Sequence, residues 1–345
     1  MAENTAISWC DSTFNHVRGC TKVSAGCASC YADTMSKRNP KTLGVWGPNG
    51  TRVVASEAMW KKPLKWNREA APAYIPVCAQ CGADAKHDLP RCPECEYGID
   101  RSRPRVFCAS LADVFEDWQG PIHNHKGEQL YQRWHHAQPE WVASSVPCEG
   151  EPVTMDDVRS RLFRLIDATP NLDWLVLTKR PENIRRMWPG WQGDLASAFT
   201  SKATPKRREN VFLGTSVENQ EYAEKRIPEL LRCRDLSPVL FLSCEPLLGP
   251  LDMIAAHWGT VAWGDRTAGI NWVIVGGESG PKARPMDINW ARSLRDQCAA
   301  AKVPFHFKQF SQADTKGFND FATFPDELKI REFPHVGTPI LPISK

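Results

Sequence analysis

Three cysteines near the start of the chain have the types and spacing of a metal centre. Cys20, Cys27 and Cys30 fall within eleven residues, spaced C-x6-C-x2-C. Three thiolates on one loop can hold three irons of a [4Fe–4S] cluster and leave the fourth iron open to a small ligand. Gly19 and Gly26 are expected to supply the positive-φ turns that wrap a loop around a cofactor. A helix is expected from Tyr31, and its N-terminal dipole would favour an anionic thiolate group. Two other readings stand beside this one. Zinc would need a fourth ligand, for which His16 or Cys10 is available. The thiols could also be small buried hydrophobes.

A second group, Cys78, Cys81, Cys92 and Cys95, reads CxxC-x10-CxxC. This is the spacing of a zinc ribbon or knuckle, where two turns present four thiolates tetrahedrally. A second iron–sulfur cluster is the competing reading. A structural Zn²⁺ would let the stretch 72–103 fold without a core of its own. Such a module either staples the chain or docks nucleic acid or protein.

The bulk numbers limit the setting. The chain has 345 residues, 42% hydrophobic and 24% charged, with 43 basic and 40 acidic side chains and a formal charge of +3. That length can bury a large core, and the charge carries no global signal for nucleic acid. The first residues lack a basic and an apolar region, so no signal peptide is expected, and no apolar run is long enough to span a membrane. A cytoplasmic, reducing compartment is the expectation. There thirteen cysteines are not expected to form disulfides; the seven in two tight groups are read as metal-binding or catalytic, and scattered ones such as Cys148, Cys233 and Cys298 as small buried hydrophobes.

The elements that would position these groups follow from six short apolar runs: 105–109, 174–177, 211–214, 239–242, 272–275 and 304–307, with 6–10 as an earlier candidate. The runs are continuous rather than alternating, as in parallel strands covered on both faces. Residues 156–168, 221–233 and 289–301 between them carry apolar side chains at helical spacing. Strand–helix alternation predicts an α/β fold, a partial or full (βα) barrel with a small zinc-ribbon-like insertion. The expected organisation is a barrel start with the cysteine loop (1–71), the insertion (72–103), the rest of the barrel (104–311) with a long loop at 117–152, and a C-terminal arm (312–345).

Each run ends in polar groups, and the carboxyl ends of parallel strands form the active-site face of such folds. Thr215, Ser216 and Glu218 would suit a ribose diol, while Glu245 and Glu278 would take an ammonium, a ribose or a substrate cation. Gly276 and Gly277 would permit close approach of backbone to ligand. Lys179 and Arg180 would bind a carboxylate or phosphate. Cys108 and Cys244, at strand ends, are candidates for a hydrogen donor to a radical or a fourth ligand, and Lys179 is a further catalytic candidate.

Several longer motifs recur in order. They are the segment from Ile7 to Asp33 with Gly19-Cys20-Thr21, Gly26-Cys27 and Cys30-Tyr31-Ala32; Leu177-Thr178-Lys179-Arg180-Pro181; Gly214-Thr215-Ser216-Val217-Glu218-Asn219; Ser243-Cys244-Glu245-Pro246-Leu247; Gly276-Gly277-Glu278-Ser279-Gly280-Pro281; and Phe307-Lys308-Gln309. Together they resemble a phage-associated three-cysteine-motif family, itself remotely similar to the radical S-adenosylmethionine enzymes. The resemblance spans most of the chain. It implies a partial (βα)6 barrel, S-adenosylmethionine on the open iron, an electron donor, and a 5′-deoxyadenosyl radical that abstracts hydrogen from substrate.

The sequence departs from that superfamily in three ways. The first cysteine gap is six rather than three, the aromatic follows the last cysteine as Tyr31, and Gly276-Gly277-Glu278 lies late in the barrel. The basic residues Lys202, Lys206, Arg207 and Arg208 and Trp134, Trp141, Trp188 and Trp191 would suit nucleic acid, and equally a solvated charged loop and packing tryptophans; the phage association that the resemblance implies points to a nucleobase or DNA substrate. The competing reading is a non-catalytic, zinc-stapled protein that binds nucleic acid or a protein partner.

Overall fold

The computed structural model describes residues 5–70, 77–78, 99–100, 103–135, 138–143, 150–192, 204–254, 269–280, 282–314 and 317–334. Its centre is a seven-stranded parallel sheet whose strands lie side by side in sequence order. They are β1 (Ser12–Thr13), β2 (Arg105–Cys108), β3 (Asp173–Thr178), β4 (Val211–Ser216), β5 (Val239–Cys244), β6 (Trp272–Gly276) and β7 (Phe305–Gln309). All six neighbouring pairs are parallel. The strand predicted at 6–10 is instead Ser12–Thr13. Trp9, within that predicted run, is an interior plug.

Helices cross between the strands as the spacing predicts. The principal ones are α1 (Tyr31–Arg38), α2 (Met155–Asp167), α3 (Gln220–Leu231) and α4 (Ile288–Ala301). Helix α2 opens on a capping box in which Thr154 Oγ1 accepts from Asp157 N while Thr154 N donates to the Asp157 carboxylate. Asn219 caps α3 and Asp287 caps α4 in the same side-chain-to-backbone manner.

Side chains alternate across each strand, so the sheet builds two cores. The helix-side face carries Val106, Trp174, Val176, Leu213, Leu240, Leu242, Val273 and Phe307, packed against Leu162, Ile166, Ile227 and Leu294. The opposite face carries Phe107, Leu175, Phe212, Phe241, Trp272 and Ile274 around Trp9. The Trp9 ring lies 4.5 Å from Phe107 on β2, 6.4 Å from Phe241 on β5 and 6.5 Å from Trp272 on β6. One residue reaches strands so far apart only where the sheet curls around it, and the sheet is therefore a half-barrel compatible with a partial (βα) barrel. At Gly214 an added Cβ would lie 2.3 Å from the Phe241 ring, which occupies that space.

The last strand does not end in an open edge. Phe307 N donates to Ile330 O and Glu332 N donates to Phe305 O, so residues 330–332 pair along β7. The arm expected from 312 thus packs on the sheet as far as Phe333, which lies against Trp272 and His306. Within the expected loop 117–152, Leu130–His135 and Gln138–Ala143 form an antiparallel hairpin. Among the described residues no helix is long and apolar enough to cross a membrane.

Candidate functional site

The cysteine loop hangs from a small side sheet in which Val17–Arg18 pairs with Arg52–Val54. Gly19 follows at φ +106°, with its missing Cβ 2.4 Å from Thr51 O, so only glycine fits. Gly26 is different from the expectation. Its φ is not positive; an added Cβ would stand 2.9 Å from Glu218 Oε1, so its glycine admits a close approach. Residues Ala25–Cys27 make one 3-10 turn, and Cys30 stands at the N-terminal boundary of α1. All three thiols are free and half-buried. Burial pushes the Cys30 thiol up, while the N–H groups of Asp33 and Ala32 in the first turn of α1 favour its thiolate.

The loop is tied to the carboxyl ends of three strands. Tyr31 Oη donates to Ser110 O beyond β2 at 2.9 Å, and Gly19 N donates to Leu111 O at 3.0 Å. Beyond β3, Arg180 Nη2 donates to Thr21 O at 2.8 Å, and its Nη1 lies 3.7 Å from Cys20 Sγ. Beyond β4, Gly26 N donates to Glu218 Oε1 at 3.1 Å.

A buried charge network stands behind Cys20. Asp113 accepts from Arg180 Nη1 at 2.8 Å, from Thr178 Oγ1 at 2.6 Å and from Lys179 N at 3.0 Å. Glu116 accepts from Arg52 Nε and Nη2, both at 2.7 Å, and from Thr21 N at 2.8 Å. Burial pushes the Cys20 thiol up to about 12; Glu116 and Asp113 add to the rise and Arg180 opposes it. A cleft of about 360 Å³ adjoins this network, lined by Thr21, Pro48, Trp118 and Arg180 among others.

On the other flank, continuing the interior alternation past the aromatic layer brings Lys179, Ser216, Glu245 and Lys308 to the mouth. Lys179 Nζ donates to Ser216 Oγ at 2.8 Å. Lys308 Nζ pairs with Glu245 Oε2. The other oxygen, Glu245 Oε1, is buried and has no hydrogen-bond partner among the described residues. A buried carboxylate oxygen left open is costly and calls for a donor.

The remaining expected residues fall elsewhere. Thr215 faces the helices, fully buried, and donates to Thr178 O at 2.9 Å. Glu218 is spent on Gly26 N and on Arg226 Nη1 at 2.8 Å. Glu278 is spent on Arg284, through Nη2 at 2.6 Å and Nε at 2.9 Å. An added Cβ on Gly277 would lie 2.2 Å from Ser311 N, so its close approach is to backbone rather than ligand. Gly276 borders Glu245, its missing Cβ 3.4 Å from Glu245 Cγ.

Cys108 and Cys244 do not reach the mouth. Period-two alternation puts both in the helix-side core at 0% exposure, Cys108 beside His16 Nδ1 at 3.6 Å. Burial pushes both thiols well up. Val77–Cys78 pairs with Ile99–Asp100 in a short antiparallel ladder, whereas Cys81, Cys92 and Cys95 lie outside the described residues. In the basic run, Arg208 and Lys206 pair with Asp167 and Arg207 with Glu209, so these three cations are already answered. Lys202 lies outside the described residues.

Sequence reasoning did not single out Arg52 or Glu116, and it named Lys308 only within the Phe307-Lys308-Gln309 motif, without a partner or a role. The alternation Phe305-His306-Phe307-Lys308 was the available signal for Lys308, since it places the lysine on the interior face one step above His306. Among the described residues, no group of three or more His, Cys, Asp or Glu could hold a metal ion. Neither a curated protein nor a solved structure matches the chain. A family model does, over residues 4–123 and 118–329, and with nearly the whole length matched the chain belongs to the family described as protein of unknown function (DUF5131).

Proposed function

We propose that this chain is an iron–sulfur protein acting as a radical S-adenosylmethionine-type enzyme, with Cys20, Cys27 and Cys30 as cluster ligands. The observation that carries the reading is the attachment of three free thiols on one loop to the carboxyl ends of β2, β3 and β4. A single ion would draw every donor to within ~2.3 Å of one centre. Each thiolate of a cubane binds its own iron, so the three thiols need not converge on one point. The donor set fits such a group: three soft thiols, with Arg180 and the first turn of α1 offering N–H groups to the sulfurs.

When bound, the cluster supplies the electron that cleaves a carbon–sulfur bond of S-adenosylmethionine. The protein's own part is to hold and orient. Glu245 Oε1 accepts from the ammonium or a ribose hydroxyl of the ligand, and Lys179 and Lys308 offer positive charge to its carboxylate. Leu177 and the aromatic layer of Phe241 and Trp272 below exclude water. On spacing alone, Cys78, Cys81, Cys92 and Cys95 are assigned a structural zinc ion.

Anaerobic reconstitution with iron and sulfide tests the reading, by iron content and electron paramagnetic resonance with and without S-adenosylmethionine. A reduced-cluster signal that shifts on adding S-adenosylmethionine, and is lost in Cys27→Ala, is the expected result. A colourless protein that retains only zinc would replace this reading with a metal-stapled binding protein.

A further inference from the structure

We infer that the rim of the cysteine loop is a docking surface for an acidic protein that donates one electron. The inference rests on the cluster reading above and adds to it the place and chemistry of the partner. Four of the five large apolar side chains exposed among the described residues are Val23, Tyr31, Met35 and Val45, all within 23 residues of chain; the fifth is Ile254. Tyr31 and Met35 stand one turn apart on α1 and therefore share a face. Val23 belongs to the loop itself, its carbonyl accepting from Tyr222 Oη at 3.4 Å.

Cations accompany this apolar group along the same segment of chain. Residues 17–45 contain Arg18, Lys22, Lys37, Arg38 and Lys41 against the single acid Asp33, a surplus of four in a chain whose whole formal charge is +3. Asp33 is buried beneath the rim and holds Lys22 at 2.8 Å and Lys37 at 3.3 Å, which ties the loop to α1. Elsewhere on the surface several arginines sit one to one beside acids, as in Arg185–Asp235, Arg186–Asp117 and Arg292–Glu327, whereas on the rim one acid serves two lysines. The rim is thus a local positive field around a solvent-facing apolar centre, the make-up of a protein-docking patch.

The apolar part decides between partners. A nucleic-acid surface pairs its cations with aromatic platforms for bases, whereas of the four exposed side chains three are aliphatic and the one ring, Tyr31, is tethered by its hydroxyl to Ser110 O. A mostly aliphatic centre with a surplus of cations beside it suits an acidic protein surface. The half-buried thiols of Cys20, Cys27 and Cys30 lie in the same segment, so an electron crossing here has a short path. In the step itself the donor loses one electron and the cluster gains it, with no bond made or broken.

The test uses the reconstituted full chain and a reduced plant-type [2Fe–2S] ferredoxin, an acidic one-electron donor, mixed anaerobically in a stopped-flow cell. Lys37→Glu/Arg38→Glu/Lys41→Glu is expected to slow reduction at least tenfold at low salt, and the wild-type rate is expected to fall steeply with ionic strength. Reduction by dithionite should be complete in both proteins. Equal ferredoxin rates in wild type and variant would overturn the inference. So would an unchanged ferredoxin rate combined with lost binding of a single-stranded oligonucleotide, which would make the rim a nucleic-acid surface. A wild-type protein in which dithionite reduces no cluster would instead remove the cluster reading, and the docking inference with it.

Discussion

Among the described residues, every buried charge on the Cys20 flank of the mouth is answered, whereas on the Glu245 flank one oxygen is not. Asp113, Glu116, Arg52 and Arg180 form a closed set, and none of their side-chain atoms is left buried without a partner. Glu245 has one oxygen on Lys308 and the other open. The first arrangement fixes a loop, and the second is suited to receive a ligand. Both flanks hold strand-end carboxylates, so the residue type alone does not separate scaffold from binding site; its partners do.

The largest expected effect lies on the closed flank. Arg52→Met leaves Glu116 buried without its main counter-charge, since the pair is 0% and 4% exposed. Removing one partner of such a pair costs about 3–5 kcal/mol. Lys308→Met, at a pair 23% and 11% exposed, is expected to cost less, about 1–3 kcal/mol. Urea unfolding of the two variants checks the contrast, and equal losses would erase the distinction between the flanks.

Next comes the floor beneath both flanks. Gly214→Ala forces a methyl into the Phe241 ring, and overpacking of this kind costs about 1–3 kcal/mol. A thermal midpoint unchanged from wild type would show that the aromatic layer can shift, and that the two flanks are not held by a rigid base.

Each flank also stands over one neutral histidine. His16, beside Cys108, is held down at about 3, chiefly by burial and then by Arg159. His306, on the strand that carries Lys308, is held down at about 3 by burial and then by Arg331. With folded values below the unfolded value of 6.5, the unfolded chain binds more protons at acid pH. The stability these rings contribute is therefore present above pH 6.5 and lost as pH falls toward 3. Each ring should remove about 1.4 kcal/mol per pH unit over that window. Urea midpoints at pH 7.5 and 5.5, for wild type and His306→Gln, measure the slope; a variant with the wild-type slope would show that His306 does not titrate as argued.

The sheet was legible in the sequence because parallel strands buried on both faces are continuous apolar runs, and three helices were legible from their periodicity. The first strand was not, because Trp9 looks like a strand residue and serves as a plug, while Ser12–Thr13 is too short and polar to register. The placement of the candidate site at the strand carboxyl ends was legible, in its cysteine loop and in Lys179, Ser216 and Glu245. It was misread at Glu218 and Glu278 because proximity to a strand end says nothing of the partner. Arg226, eight residues on, and Arg284, six residues on, fold back to take those carboxylates. Cys108 and Cys244 were misread for a different reason: counting strand ends without counting faces places helix-side thiols at the mouth.

The smallest change to the fold should carry the sharpest change in binding. Glu245→Gln preserves shape and removes the charge, so stability without ligand is expected to change by about 1 kcal/mol or less. If Oε1 receives a donor from S-adenosylmethionine, the variant loses a charge-assisted hydrogen bond of about 1.5–3 kcal/mol, roughly a 10- to 100-fold weaker affinity. Glu278→Gln serves as the control, because Arg284 already occupies that carboxylate and no ligand contact is lost. Isothermal titration of the reconstituted protein with S-adenosylmethionine separates the two. Weakening confined to Glu245→Gln would tie the ligand to the open flank. Equal affinity in all three proteins would mean that the unanswered oxygen faces something other than this ligand, and the contrast between the flanks would then describe packing alone.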